Sequence, residues 1–186
     1  VSRGLGDVYK RQLLPLLEVD DMPAIELKNI IKNFKTPTSD VEVLKNVNFS
    51  ADAGSLSLVL GPSGSGKSTF LTIAGGIQTP TDGIVTTAGE NLEQLSGKAR
   101  DALRLDKIGF VLQSYNLVPY LTVGEQFKLV DKIKPKGNLS QAALSELLDD
   151  LGIANLVNQY PASLSGGQTQ RVAIARSLFP APAIEL

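Results

Sequence analysis

The sequence predicts an α/β fold with a strand-rich start, an α/β core around a glycine-rich loop, and a helical insertion. Three observations predict it. Short apolar segments, partly alternating, occupy the stretch from Ile25 to Leu60. A glycine-rich turn, Gly61 to Ser68, divides the last of them from a helical pattern. From about Val123 onward the apolar spacing becomes that of an amphipathic helix.

Taken in order, Ile25, Leu27 and Ile30, then Val41 to Phe49, read as strands joined by the turn-rich Lys35-Thr36-Pro37-Thr38-Ser39-Asp40. Ser57 to Leu60 reads as a short apolar strand of the kind buried on both faces. After the glycine-rich turn, a helix runs through Phe70, Leu71, Ile73 and Ala74. Ile84 to Thr87 and Ile108 to Leu112 are further strand candidates. Later, Ser140 is placed as an N-cap, and Leu144, Leu147, Leu148 and Leu151 recur at i, i+3, i+4 and i+7 before Gly152. That stripe predicts core packing. Asp149-Asp150 beside it reads as a solvated helix end, not an acid/base pair.

Composition excludes several functions. The 186 residues suit one domain with a sizeable core. Lys+Arg 18 against Asp+Glu 19 leaves a net charge of -1, without the basic footprint of a nucleic-acid binder. With no cysteine and no histidine there is no disulfide framework, no thiolate chemistry and no His-based triad or zinc site. The longest apolar runs, such as Leu56 to Leu60, are far too short to cross a bilayer, so any membrane role is expected to come through a partner.

Both ends of the sequence are unusual. The first residue is Val1, and the only methionine is Met22. Arg3, Lys10 and Arg11 beside Leu13, Leu14, Leu16 and Leu17 superficially suggest a signal peptide, but Pro15 and Glu18 interrupt the apolar stretch. Met22 is therefore expected to be the native start, and residues 1–21 a non-native or disordered extension. Pro182 to Leu186 repeats Pro23 to Leu27 letter for letter, either by chance or through a join in the sequence.

Gly61-Pro62-Ser63-Gly64-Ser65-Gly66-Lys67-Ser68, followed by Thr69, satisfies G-x-x-x-x-G-K-[ST]. Glycines let successive backbone N–H groups converge on phosphate oxygens, and the helix that follows adds its positive N-terminal end. Lys67 can reach the β- and γ-phosphates as a point charge, and the Ser68 hydroxyl can ligate Mg2+. A nucleoside triphosphate site is predicted. A P-loop alone fixes the ligand and not the job.

The discriminating segment is Leu164-Ser165-Gly166-Gly167-Gln168, continued by Thr169 to Arg176. It resembles the signature of ATP-binding cassette (ABC) ATPases. It is another helix N-terminus, at which Ser165 and the Gly166 and Gly167 amides can face a γ-phosphate while Val172, Ile174 and Ala175 pack inward. Gln113, 46 residues past Lys67 at the end of Ile108 to Leu112, resembles the family's Q-loop glutamine. That resemblance implies a contact with Mg2+ or the attacking water. Phe34 matches the aromatic that stacks on adenine. The resemblance runs from Met22 to Leu186. It implies a P-loop core with an antiparallel β subdomain and a helical subdomain at approximately residues 114–165.

By this resemblance the chain is the ATP-binding subunit of a membrane transporter. ATP binding and hydrolysis would be coupled to export through a separate transmembrane permease on the cytoplasmic face. Two ATPase subunits would sandwich ATP between the Lys67 loop of one and the Ser165 signature of the other. Ser39 to Val43, Gln113 to Leu117, and Leu121-Thr122-Val123 with Glu125 are most similar to the lipoprotein-release and macrolide-export branch, although Thr169 and Gly124 depart from its pattern. Soluble ABC proteins that act on ribosomes or DNA are a different reading. They usually carry paired cassettes or a long coiled coil, and this chain shows neither. The family's signature helix leads to a strand ending in Asp-Glu, whose start Ile184-Glu185-Leu186 would occupy. Without that pair the 186 residues are expected to bind nucleotide weakly and hydrolyse it poorly, and Glu185 is not expected to be a catalytic base.

Overall fold

Strand β1 (Ile25–Lys35) folds back on β2 (Asp40–Ala51) as an antiparallel hairpin whose register runs from Lys35 opposite Asp40 to Ile25 opposite Ala51. The structure, a computed structural model, describes residues 23–35, 37 and 39–186, so the expectations for residues 1–21, Met22, Thr36 and Thr38 lie outside the described residues. On its other edge β1 pairs antiparallel with β3 (Asp82–Thr87), which continues to the short β4 (Glu90–Asn91). The sheet order is β2-β1-β3-β4. Ile25, Leu27 and Ile30 of β1 are buried with Leu44, Val85 and Leu92. Against them lies helix α1 (Lys67–Ala74), through Phe70, Ile73 and Ala74. Phe49 and Phe70 meet edge to face at 5.1 Å, and the buried Thr87 hydroxyl donates to the Ala74 carbonyl at 2.8 Å where α1 ends. Each buried Ile, Leu, Val or Phe of this core stabilises the domain by roughly 1.5–3 kcal/mol.

Helix α2 (Gly97–Lys107), capped by Ser96, leads into β5 (Ile108–Gly109), which pairs in parallel with β6 (Ile184–Glu185). The ladder continues through Val111 N–H to the Leu186 carbonyl. The helical insertion follows: α3 (Val123–Ile133), α4 (Gln141–Asp150) and α5 (Gly166–Leu178), with short 3-10 turns at Ala154–Leu156 and Pro161–Ser163. Their apolar faces form a second core of Val123, Phe127, Leu144, Leu148, Leu151, Ile153, Val172, Ala175 and Phe179. The leucine stripe and the Ser140 cap stand where the spacing placed them, and Gly152 turns the chain with φ +63. Gly124, a departure from the branch pattern, donates its N–H to the Val157 carbonyl at 2.8 Å, where a Cβ would lie 3.1 Å from that oxygen. The buried Lys134 joins the end of α3 to Pro180 O (2.8 Å) and Asp106 Oδ1 (3.2 Å), fastening the insertion to the core.

Two expected strands differ: Ile108 to Leu112 is a strand only over Ile108–Gly109, and the second departure lies before the glycine-rich loop. Ser57 to Leu60, expected as a buried strand, forms no ladder among the described residues, and Leu56, Leu58 and Leu60 are 88%, 78% and 84% exposed. A strand buried on both faces needs neighbours on both edges. Here an apolar trough of about 430 Å³, lined by Ile25, Phe49, Phe70, Ile184 and Leu186, opens where a neighbour would pair. Glu185, the poor fit for a buried strand, keeps an exposed flank on β6. Desolvation of its carboxyl by the surrounding chain nevertheless pushes it up to about 7, opposed by a hydrogen bond with Ser177.

Candidate functional site

The Gly61 to Ser68 loop enters α1 through Gly66, whose φ is +91. A side chain there would begin 3.0 Å from Leu44 Cδ2, 3.1 Å from Val43 Cγ1 and 3.2 Å from the Val43 carbonyl, so packing against β2 as well as backbone conformation requires glycine. The first helical bond of α1 is Phe70 N–H to Gly66 O, leaving the amides of residues 67 to 69 ahead of the ladder. No side chain caps them. By contrast α2, α3, α4 and α5 are capped by Ser96, Thr122, Ser140 and Ser165. The uncapped start of α1 leaves its first-turn amides available to an anion. Lys67 Nζ folds over the loop, donating to the Gly61 and Pro62 carbonyls at 2.7 Å each. Phosphate oxygens can replace those carbonyls. Pro62, Ser63, Gly64, Ser65 and Ser68 are exposed, and Thr69 is half-buried.

The second helix start is built differently. Ser165 Oγ accepts from Gln168 N–H at 3.3 Å, and Gln168 Oε1 accepts from Ser165 N–H at 2.8 Å, a reciprocal capping box. Thr169, the departure from the common glutamine, donates its hydroxyl to the Ser165 carbonyl. The ladder of α5 begins with Thr169 N–H to Ser165 O, so the Gly166 and Gly167 amides precede it and lie exposed. Leu164 is half-buried and packs against the helical core. Gln168 therefore acts inside its own helix start, while Gly166 and Gly167 present amides to solvent.

Gln113 stands beyond β5, not at the tip of a five-residue strand. The chain turns at Leu112 to Tyr115, closed by Tyr115 N–H to Leu112 O at 2.9 Å, and leaves Gln113 exposed. Phe34 is 37% exposed at the end of β1, with Lys32 Nζ 5.2 Å from its ring centre. Its strand partner is Val41, two residues along β2 from the Val43 that packs on Gly66. The hairpin thus carries an exposed aromatic ring on the strand pair whose Val43 and Leu44 pack against Gly66. Among the described residues no group of three or more acidic side chains that could hold a metal ion occurs. Ser68 and Gln113, the cation candidates expected from the sequence, are both exposed.

Two residues that sequence reasoning missed organise these parts. The buried Gln126 side chain accepts from Val118 N–H and donates to the Val118 and Leu121 carbonyls, pinning the loop before α3. Arg176 of α5 donates to the carbonyls of Tyr115 and Asn116, just after Gln113. An arginine on a helix otherwise buried through Val172, Ala173 and Ala175 was the one available signal.

Residues 44–186 match the ABC transporter family. A protein of Staphylococcus haemolyticus, named for hemin import as the ATP-binding protein HrtA, is 45% identical over 166 residues, 88% of this chain and 74% of that protein. The HrtA of Staphylococcus aureus strain MRSA252 is 42% identical over 165 residues, 88% and 74% respectively. Among solved structures, the bacterial ABC transporter cassette MJ0796 in a dimeric form has a TM-score of 0.79 at 40% identity, covering 87% of this chain and 72% of that one. Its dimeric post-hydrolysis state with ADP and Pi gives 0.77 at the same identity and coverage. The relatives are ATP-binding subunits of transporters, and their names specify import where the branch resemblance implied export. No helix among the described residues is long and apolar enough to cross a membrane. The chain belongs to the ABC transporter family of ATP-binding proteins, whose members are ATPases.

Proposed function

We propose that this chain is the ATP-binding subunit of a transporter, holding ATP at the Gly61–Thr69 loop and working with a separate transmembrane permease that recruits it to the membrane. The carrying observation is the uncapped start of α1 beneath a lysine that folds over the loop. Lys67 and the loop amides would hold the β- and γ-phosphates, and Phe34 would stack on the adenine. Ser68 and Gln113 would complete the shell of Mg2+, which when bound offsets phosphate charge. The exposed Gly166 and Gly167 amides on the capped Ser165 start would meet the nucleotide of a second copy, an arrangement supported by the dimeric form of MJ0796. Transport direction is left open in this reading, because the permease and not the nucleotide site would set it.

Equilibrium binding of ATP with Lys67→Ala tests the site. A charge-assisted hydrogen bond contributes about 1.5–3 kcal/mol, so affinity is expected to fall by roughly 10- to 150-fold. Unchanged affinity in a folded variant would refute the assignment.

A further inference from the structure

The segment after Gln113 is held in a conformation that its own residues disfavour. Tyr115 N–H closes a turn onto Leu112 O at 2.9 Å, and Asn116 N–H closes a tighter one onto Ser114 O at 2.6 Å. Ser114 Oγ also bonds Asn116 Oδ1 at 2.7 Å. As a result Tyr115 and Asn116 both take left-handed backbone, at φ 58 and φ 47. Asparagine visits that region with some ease, but tyrosine does not, and two such residues in succession need support from elsewhere.

Arg176 supplies it. Its Nη1 donates to the Asn116 carbonyl and its Nη2 to the Tyr115 carbonyl, both at 2.7 Å. A guanidinium is a rigid planar fork, so bonds to successive carbonyls fix their relative orientation, which a single ammonium could not do. Arg176 lies in the last turn of α5, the helix whose first turn carries Ser165, Gly166 and Gly167. At 1.5 Å per residue the two ends stand about 16 Å apart on one rod. We propose that Arg176 is a positioning residue that sets the Gln113 turn from the signature helix, so that presentation of the Gln113 carboxamide to the nucleotide's Mg2+ depends on this grip. The inference rests on the reading above that Gln113 faces that ion.

The test compares ATP affinity with and without Mg2+ for the parent chain, Arg176→Ala, Arg176→Lys and Gln113→Ala. A further variant adds Tyr115→Gly and Asn116→Gly to Arg176→Ala. Arg176→Ala and Gln113→Ala are both expected to lower the Mg2+-dependent gain in affinity by about 3- to 10-fold, within the range by which residues between sites modulate coupling. Mg2+-free affinity should stay within about twofold, because the loop at Gly61 to Thr69 is untouched. Arg176→Lys should recover only part of the gain. The glycine pair should also recover part of it, since glycine takes left-handed backbone without support. A reduced gain in Gln113→Ala with an unchanged gain in Arg176→Ala overturns the proposal and leaves the Gln113 reading standing. An unchanged gain in Gln113→Ala overturns both. Equal losses with and without Mg2+, together with a lower melting temperature, overturn it by assigning Arg176 to folding alone. Arg176→Lys keeps the comparison decisive if the alanine variant does not fold.

Discussion

Replacing Gly66 by alanine tests whether the phosphate loop owes its shape to packing against the β1–β2 hairpin. A left-handed alanine costs about 1–2 kcal/mol relative to glycine. At Gly66 the new methyl would also begin 3.0 Å from Leu44 Cδ2 and 3.1 Å from Val43 Cγ1, side chains that can shift by a few tenths of an ångström. It would stand 3.2 Å from the Val43 carbonyl, which belongs to strand backbone and has less freedom. Overpacking of that kind adds about 1 kcal/mol, giving a total of roughly 2–3 kcal/mol. Gly64 provides the control. It too is left-handed, at φ +79, but a Cβ there meets nothing within 4 Å, and the exposed loop can relax. Gly64→Ala should therefore cost only the conformational penalty of about 1–2 kcal/mol, roughly 1 kcal/mol less than Gly66→Ala. For a chain of this size 1 kcal/mol moves Tm by about 2–4 °C, so calorimetry should separate the two variants clearly. ATP affinity should fall in both, because each reorients loop amides. Equal losses of stability at the two sites would refute the packing argument, and a neutral Gly66→Ala would refute the conformational one as well.

Ser165→Ala should lower stability by about 1 kcal/mol, while Ser165→Asp, which keeps an acceptor for Gln168 N–H, should hold the parent's Tm; equal losses in both would dismiss the cap. Glu185 gives a pH signature. Because desolvation raises its carboxyl from 4.5 to about 7 in the folded chain, the folded state binds that proton more tightly, and stability should fall as pH rises through this window and level off above it. Glu185→Leu should remove that slope and stabilise the chain at pH 8 by about 1 kcal/mol at most, the exposed flank screening the rest; urea titrations whose pH profiles run parallel for parent and variant would contradict it.

The phosphate loop and the signature were legible because their chemistry is local. A run of glycines, a lysine and a helix start lie within eight residues, and Ser165 with Gln168 caps its own helix. The leucines of α4 were legible for a similar reason, since one helix face reports its own burial. Helix α2 was not, because its apolar stripe is thin: Gly97–Lys107 buries no residue fully, and Leu103 is the large apolar side chain it packs on the core; the Ser96 cap is the other mark. The Arg176 grip was illegible in principle, joining positions 60 and 61 residues apart through backbone carbonyls that have no residue preference. Ser57 to Leu60 departs from the expected strand because an apolar run reports a tendency to be covered and not the presence of a cover.

That departure separates two properties that a P-loop fold usually presents together. Among the described residues the segment leading into the loop has no ladder, yet the loop keeps its turn, its left-handed glycines and its lysine contacts. What fixes it lies on the other side. Gly66 is seated on Val43 and Leu44 of β2, and α1 is anchored by Phe70 and Ile73 in the hairpin core. At its far end α1 is tied by the Thr87 hydroxyl on Ala74 O. None of those contacts involves residues 55–60. The phosphate cradle is therefore held by the antiparallel sheet and the helix, whereas the order of the parallel sheet depends on what covers the trough between Leu56–Val59 and β6. Nucleotide affinity should follow the first set of contacts, and cooperative closure of the core the second.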